Sequence, residues 1–184
     1  MSKKLAVFFP GRKYSVDCPL LYFADFTCSL KGYERAFLHY ARHREDKGTT
    51  TVKEDIENAK AYVTATIQAK EVNEYDEVLF VSKSIGTVLA GYIREELKLK
   101  NVRNIYLTPL PETLPYIEGK DSIVIAGTKD RFLDKEELKS FCNSNNVKLY
   151  QFEGLGHSLE TDDVEGSLRI LKRVTDIIGE YIEQ

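Results

Sequence analysis

Short apolar runs alternate with longer amphipathic segments along the chain, and this alternation constrains the fold more than any other feature. Six runs have the length and composition of buried strands. They are residues 5–9, 36–40, 78–81, 104–107, 122–126 and 147–152. Parallel strands need crossover connections, which are usually helical. The alternation therefore predicts a six-stranded, mostly parallel sheet with helices on both faces.

The segments between these runs supply the helices. Five of them repeat apolar residues at the spacing of a helix face. They are residues 19–30, 52–69, 85–97, 133–142 and 164–182. The chain has 184 residues and shows no repeat, low-complexity stretch or interdomain linker. A single core serves a chain of this size. We therefore expect residues 1–184 to form one three-layer α/β sandwich.

Charge and composition exclude several classes of function. The formal net charge is −3, with 42% hydrophobic and 30% charged residues, as in an ordinary soluble globular protein. This balance favours neither nucleic-acid binding nor a polybasic membrane anchor. The apolar run at residues 5–9 ends at Pro10 and Gly11, too short for a signal peptide or a membrane span. A cytoplasmic location is the expectation, and the oligomeric state stays open.

The three cysteines do not predict a disulfide or metal site. Cys18, Cys28 and Cys142 form no CxxC pair, and none is spaced from a histidine as zinc ligands are. An odd count without a secretory signal favours reduced thiols used in packing. We expect no metal and no cofactor.

A candidate nucleophile follows the third predicted strand. In open parallel sheets the active site forms outside the carboxyl ends of the strands. There, Ser84 stands between a strand and a helix, with the small residues Ser82 and Gly86 two positions away on either side. Such a sharp turn lifts a serine oxygen clear of the backbone. The amide of Ile85, at the helix start, can then donate to an oxyanion.

A candidate acid and a candidate base follow the fifth and sixth predicted strands. Asp130 ends the segment Gly127–Thr–Lys–Asp130, and His157 follows Gly156. An imidazole titrates near neutral pH, so His157 can accept a proton and return it. A carboxylate at Asp130 can hold the histidine tautomer and stabilise the imidazolium.

These three segments, in this order and each after its own strand, resemble the α/β-hydrolase family over nearly the whole chain. The resemblance implies a catalytic triad of Ser84, Asp130 and His157. It implies a second oxyanion amide after the first strand, from Arg12 or Gly11. The short link between the fourth and fifth strands leaves no room for the cap domain of many members. A minimal, capless fold with an open pocket is therefore expected.

Position relative to the strands also predicts the pocket lining. The substrate-binding candidates are Gly11, Tyr14, Lys83 and Pro109, with Cys18, Leu20, Thr108 and Leu110 close by in sequence. Arg12, Lys13 and Lys83 together are one way to attract an anionic substrate. The simpler interpretation is that these three are solvated surface charges.

Each triad candidate has competing interpretations. Ser84 is also a good helix cap, and Ser82 is a rival nucleophile. Asp121 and Asp134 compete with Asp130, although Asp121 precedes its strand and Asp134 resembles a helix cap. The histidine rivals, His39 within a predicted strand and His43 in a charged segment, are better suited to packing or surface roles.

The expected activity is hydrolysis of an ester or thioester of a small acyl substrate through an acyl-enzyme. A binding protein of the same fold with weak or no catalysis is the alternative from another class. Transfer of the acyl group to an acceptor other than water is a further possibility. The fold alone does not choose between these activities.

Overall fold

The computed structural model describes residues 2–40 and 50–184. Its centre is a six-stranded sheet of order β2-β1-β3-β4-β5-β6, in which every pairing is parallel. The strands are β1 Lys4–Phe9, β2 Glu34–Phe37, β3 Glu77–Lys83, β4 Val102–Leu107, β5 Ser122–Gly127 and β6 Lys148–Phe152. The predicted α/β class and the six strands are confirmed.

Helices cover both faces of the sheet. They are α1 Pro19–Leu30, α2 Val52–Ala69, α3 Ile85–Glu96, α4 Lys135–Ser144 and α5 Val164–Ile182, with short 3-10 helices at Val72–Glu74 and Pro111–Tyr116. Four begin at the predicted residue. Helix α4 begins two residues later than predicted because Asp134 caps it, accepting from the amides of Glu136 and Glu137. Among residues 2–40 and 50–184, no helix has both the length and the apolar character needed to cross a bilayer.

Strand β2 begins two residues earlier and ends three residues earlier than the sequence predicts. It pairs only with β1, from Glu34 opposite Leu5 to Phe37 opposite Phe8. As an edge strand it needs few buried residues, and Glu34 and Arg35 are exposed. The search for a continuous apolar run therefore missed its start. His39, predicted within this strand, follows it instead.

Side chains alternate between the two faces of each buried strand, and this divides the core. From β3, Val78 and Phe80 pack on one face with α2 and α3, whereas Leu79 and Val81 pack on the other with α1 and α5. Residues of β4 and β5 join α4 in a third cluster. Strands buried on both faces explain the continuous apolar runs.

The strand order places a crevice at one point on the carboxyl edge. The chain leaves β1 toward β2 on one side and returns to β3 on the other, so the connections diverge between β1 and β3. Ligands of open α/β sheets bind at such a switch point. The segments that follow β1 and β3 are those that carry Arg12 and Ser84.

The cysteines are free thiols. Cys28 and Cys142 are buried, and this burial raises the pKa of the Cys28 thiol to about 12 and that of Cys142 to about 11. Both therefore stay protonated near neutral pH and act as small packing residues.

Candidate active site

The turn between β3 and α3 presents Ser84 in a strained conformation. Its backbone has φ +53° and ψ −119°, a conformation that residues other than glycine seldom adopt. A Cβ on Gly86 would lie 2.3 Å from the Phe9 carbonyl oxygen and 2.6 Å from that of Pro10. Only glycine fits this close approach to the end of β1. The small residues around Ser84 therefore permit the turn that exposes its hydroxyl.

The hydroxyl of Ser84 is directed at a histidine and not at the helix. Its Oγ lies 2.8 Å from Nε2 of His157 and makes no capping hydrogen bond. The helix-cap interpretation is therefore wrong. Ser82, the rival nucleophile, is fully buried, and its hydroxyl donates to the Ile105 carbonyl at 3.1 Å.

His157 is held by a backbone contact between the segments that follow β5 and β6. A Cβ on Gly127 would lie 2.1 Å from the Leu155 carbonyl oxygen. The amide of Lys129 donates to that same oxygen at 2.8 Å, and the Thr128 amide donates to Phe152 at 3.0 Å. This contact fixes the acid-bearing turn against the base-bearing loop.

Asp130 completes a continuous chain of hydrogen bonds. Its Oδ2 lies 2.7 Å from Nδ1 of His157, and its Oδ1 accepts from the Phe132 amide at 3.0 Å. Its side chain is only 3% exposed. Burial alone would raise the pKa of this carboxyl. Hydrogen bonds from His157 and Phe132, and the positive charge of Lys83, outweigh burial and lower that pKa below its usual value.

The pKa of His157 is lowered, first by burial and further by the nearby Lys83 charge, although the bond to Asp130 opposes the change. The imidazole is therefore neutral at pH 7. With Asp130 ionised, Nδ1 carries the proton and donates to it. Nε2 is then the acceptor that faces the Ser84 hydroxyl, which is the arrangement a general base requires.

Two backbone amides that follow β1 and β3 are candidates for an oxyanion site. The amides of Ile85 and Arg12 have no acceptor among the described residues. The Gly11 amide donates to the Tyr14 carbonyl at 2.9 Å and is therefore occupied. Of the two residues that the sequence left open after β1, Arg12 is the one with a free amide.

Lys83 is buried, which the sequence did not predict. Its side chain is 2% exposed, and its Nζ donates to the His157 carbonyl at 2.7 Å and to the Thr108 hydroxyl. It also lies 5.4 Å from the centre of the Tyr14 ring. Burial lowers its pKa to about 7, opposed by Asp130 and Glu160. Interpreting Lys83 as a solvated surface charge is wrong.

A cleft of about 650 Å³ opens beside these groups. Of the predicted lining residues, Gly11, Tyr14 and Lys83 border it, as does Leu110. Pro109 does not border it. Thr108 has φ +44°, which turns the chain so that the residue after Pro109 reaches the cleft. Cys18, Leu20 and Thr108 also lie outside the cleft lining.

Several cleft residues escaped the sequence analysis. The Phe132 ring meets the His157 ring edge-on, with centroids 4.6 Å apart. Lys129, Arg131 and Ser158 also border the cleft. Three of the four directly neighbour a triad candidate in sequence, and Phe132 lies two residues after Asp130. Their proximity to Asp130 and His157 was the signal available.

The rival acids and bases lie elsewhere. Asp121 precedes β5, and its carbonyl accepts from the Asn104 amide at 2.9 Å, at the opposite edge of the sheet. Asp134 caps α4. His39 is exposed beyond β2, and His43 lies outside the described residues. In the part of the chain that the structure describes, no three histidine, cysteine or carboxylate side chains cluster as a metal site.

Solved structures match this architecture over nearly the whole chain. An esterase from Pyrococcus furiosus aligns with 99% of this chain and 83% of its own, at a TM-score of 0.67 and 18% identity. Est1E from Butyrivibrio proteoclasticus, solved with ferulic acid, aligns with 100% of this chain and 91% of its own, at a TM-score of 0.65 and 14% identity. An alpha-beta serine hydrolase homologue from Coxiella burnetii aligns with 98% of this chain and 85% of its own, at a TM-score of 0.63 and 12% identity.

The chain has the α/β-hydrolase fold. No protein-family model and no curated protein matches its sequence. At these identities the likeness extends to the fold alone, and this α/β-hydrolase fold hosts many chemistries. The function has to be argued from the geometry of the site.

Proposed function

We propose that the protein is a serine hydrolase that cleaves an ester or thioester of a small acyl substrate. The observation that carries this proposal is the hydrogen-bonded chain from Ser84 through His157 to Asp130 at the mouth of the cleft. A strained turn holds the first of these groups, and the last is buried and ionised. This is the arrangement that activates a serine hydroxyl.

In the first half-reaction, Oγ of Ser84 attacks the carbonyl carbon while Nε2 of His157 takes the hydroxyl proton. The negative charge passes to the carbonyl oxygen, where the amides of Ile85 and Arg12 stabilise it. The bond to the leaving oxygen or sulfur then breaks. Nε2 returns its proton to that leaving atom, and the acyl group remains on Ser84.

In the second half-reaction, water attacks the acyl-enzyme. His157 takes a proton from the water, and the tetrahedral intermediate forms at the same oxyanion site. When the bond to Ser84 breaks, Nε2 returns the proton to Oγ and the carboxylic acid leaves. Asp130 stays ionised throughout and stabilises the imidazolium in both halves.

The open cleft favours small substrates. Residues 108–121, which connect β4 and β5, contain only the short helix Pro111–Tyr116 and form no cap over Ser84. Without a cap from this connection, less of a long acyl chain is removed from water. One of the structures with the same fold is that of an esterase, which supports an ester as the substrate. Transfer to an acceptor other than water uses the same acyl-enzyme and differs only in the second half-reaction.

Labelling with a fluorophosphonate probe tests the proposal. We expect the wild-type protein to be modified at Ser84, located by mass spectrometry of the labelled peptide. Ser84→Ala is expected to abolish labelling and ester turnover while the far-UV spectrum stays unchanged. Ser158→Ala is the matched control, because Ser158 borders the same cleft and the His157 ring forms its hydrogen bonds with Ser84 and Asp130 instead.

Labelling that persists in Ser84→Ala would refute the nucleophile. A folded wild-type protein that neither labels nor hydrolyses short esters would favour the binding-protein alternative.

A further inference from the structure

The charged side chains that border the cleft all have one sign. Apart from His157, its titratable charged residues are Arg12, Lys13, Lys83, Lys129 and Arg131, and no aspartate or glutamate of the described residues borders it. The whole chain contains 29 acidic and 26 basic residues, so composition does not explain the bias. A cleft lined by one sign of charge concentrates ligands of the opposite sign.

Two of these cations have partners within the protein. Arg12 donates from Nε to Asp55 at 2.5 Å and from its guanidinium to the Thr50 carbonyl. The ammonium of Lys83 donates hydrogen bonds to the His157 carbonyl and the Thr108 hydroxyl. Neither is therefore the main anchor for a substrate charge.

The other cations are exposed on the rim. Lys13, Lys129 and Arg131 form no ion pair with any described residue. The guanidinium of Arg131 lies 4.8 Å from the centre of the Phe132 ring, which itself packs on His157. Lys129 and Arg131 also flank Asp130 in the chain. Two unpaired cations thus belong to the turn that carries the triad acid.

The chemistry of the proposed reaction places the leaving group near this turn. Nε2 of His157 must protonate the leaving atom, so that atom lies within hydrogen-bond reach of the imidazole. Phe132 packs on that imidazole and Arg131 lies against Phe132, so these side chains are close to the position of the leaving group. An anionic group there gains Coulomb attraction that a neutral group does not.

We infer that the substrate is an ester or thioester whose leaving group carries an anionic group, a carboxylate or a phosphate, recognised by Lys129 and Arg131. This inference rests on the proposed function. It names the substrate class of the same site.

Two matched aryl acetates test the inference: 4-acetoxybenzoate, whose leaving group is anionic, and its neutral methyl ester. The ratio of their kcat/KM values is measured at about 20 mM ionic strength. We expect Lys129→Ala with Arg131→Ala to lower that ratio about fivefold, consistent with two exposed charge interactions. The decrease should shrink in 0.5 M NaCl, where the Debye length is only a few ångströms.

Lys135→Ala with Lys139→Ala removes the same charge from the exposed face of α4 and is expected to leave the ratio unchanged. If kcat/KM for the anionic ester is no higher with the wild type than with the Lys129 and Arg131 variant, the inference is overturned. The same conclusion follows if neither protein hydrolyses either ester. Turnover of both esters with an unmoved ratio overturns it while the proposed function stands. Loss of Ser84 labelling is what contradicts the proposed function itself.

Discussion

The cleft beside Ser84 and the depression next to it share two residues and have opposite charge. Tyr14 and Ser158 border both. The depression, of about 350 Å³, is bordered by Glu160, Asp162 and Asp163 and by no basic residue among those described. A few residues of the loop after β6 thus separate a basic surface from an acidic one.

The acidic surface has a structural explanation. Asp163 caps α5, accepting from the Gly166 amide at 2.7 Å, and negative charge is favourable at a helix N-terminus. No helix start accounts for the exposed cations at Lys129 and Arg131. The comparison teaches that charge on the depression serves the fold, whereas charge on the cleft points to a ligand.

Tyr14, which borders both surfaces, is held by hydrogen bonds to its backbone and to its hydroxyl. The Tyr14 carbonyl accepts from the Gly11 amide at 2.9 Å, and its hydroxyl accepts from the Leu20 amide at 2.8 Å. The segment after β1 and the start of α1 therefore hold the ring at both ends.

The two surfaces differ most in how closely their backbones pack, and one glycine on each side tests this. Gly127→Ala drives a Cβ into the Leu155 carbonyl, which cannot move without displacing the His157 loop. We expect a loss of about 3 kcal/mol in the free energy of unfolding, or roughly 6–12 °C in Tm. Thermal denaturation followed by circular dichroism measures it.

Gly166→Ala is the matched change beside the depression. Its Cβ would meet side-chain oxygens of Thr161 at 2.5 Å and Asp163 at 2.8 Å, which can shift at the cost of part of the Asp163 cap. Alanine also favours the helix, so the net change should stay within about 1 kcal/mol. Equal losses of stability in the two variants would show that the two backbones are equally tolerant.

The cleft also contains Lys83, a buried cation that has no carboxylate ion-pair partner among the described residues. The variant Lys83→Met tests whether Lys83 positions His157. Without its ammonium, the His157 carbonyl loses a donor and the loop loses its tie to β3. A displaced base lowers kcat/KM by about 10- to 100-fold. The pH profile separates this role from a merely structural one.

The direction of the pH shift follows from the charge. His157 must be neutral to act, so kcat/KM rises as the pH passes its pKa. Lys83, with a pKa of about 7, is still protonated in that acidic range and holds the pKa of His157 down. Lys83→Met should therefore raise the pKa of His157 and move the acid limb to higher pH.

Arg94→Met is the control for this experiment. Arg94 is also buried, but it lies on α3 and donates to the Tyr116 carbonyl at 2.9 Å and to Glu118. The Arg94→Met variant should have a lower free energy of unfolding but the same acid limb in its pH profile of kcat/KM as the wild type. An acid limb that moves equally in both variants would refute the assigned role of Lys83.

The fold and the positions of the triad candidates were predictable because their signals are local. Strand and helix periods are read within a window of the chain, and Ser84, Asp130 and His157 each follow their own strand. Their hydrogen bonds were not predictable, but the shared carboxyl edge brings such residues together.

The environment of Lys83 depends on contacts that no local pattern reveals. Its acceptors lie 25 and 74 residues away in the chain, so nothing around position 83 indicates its burial. The same holds for Arg12, whose partner Asp55 is 43 residues distant. The prediction that Pro109 lines the cleft was wrong for a conformational reason. The left-handed backbone at Thr108 changes which residue reaches the cleft.

The smallest expected effect comes from neutralising the depression with Glu160→Gln and Asp162→Asn. Both side chains are exposed and leave the cap at Asp163 intact. Their negative charge opposes the field of the cleft, so its removal should raise kcat/KM for 4-acetoxybenzoate about two- to threefold at low salt. The neutral methyl ester should not respond, and 0.5 M NaCl should erase the gain. An equal gain on both esters would mean that the acidic side chains act on the chemistry of Ser84 and not on the approach of an anion. The separation of the two surfaces by charge would then lose its functional meaning.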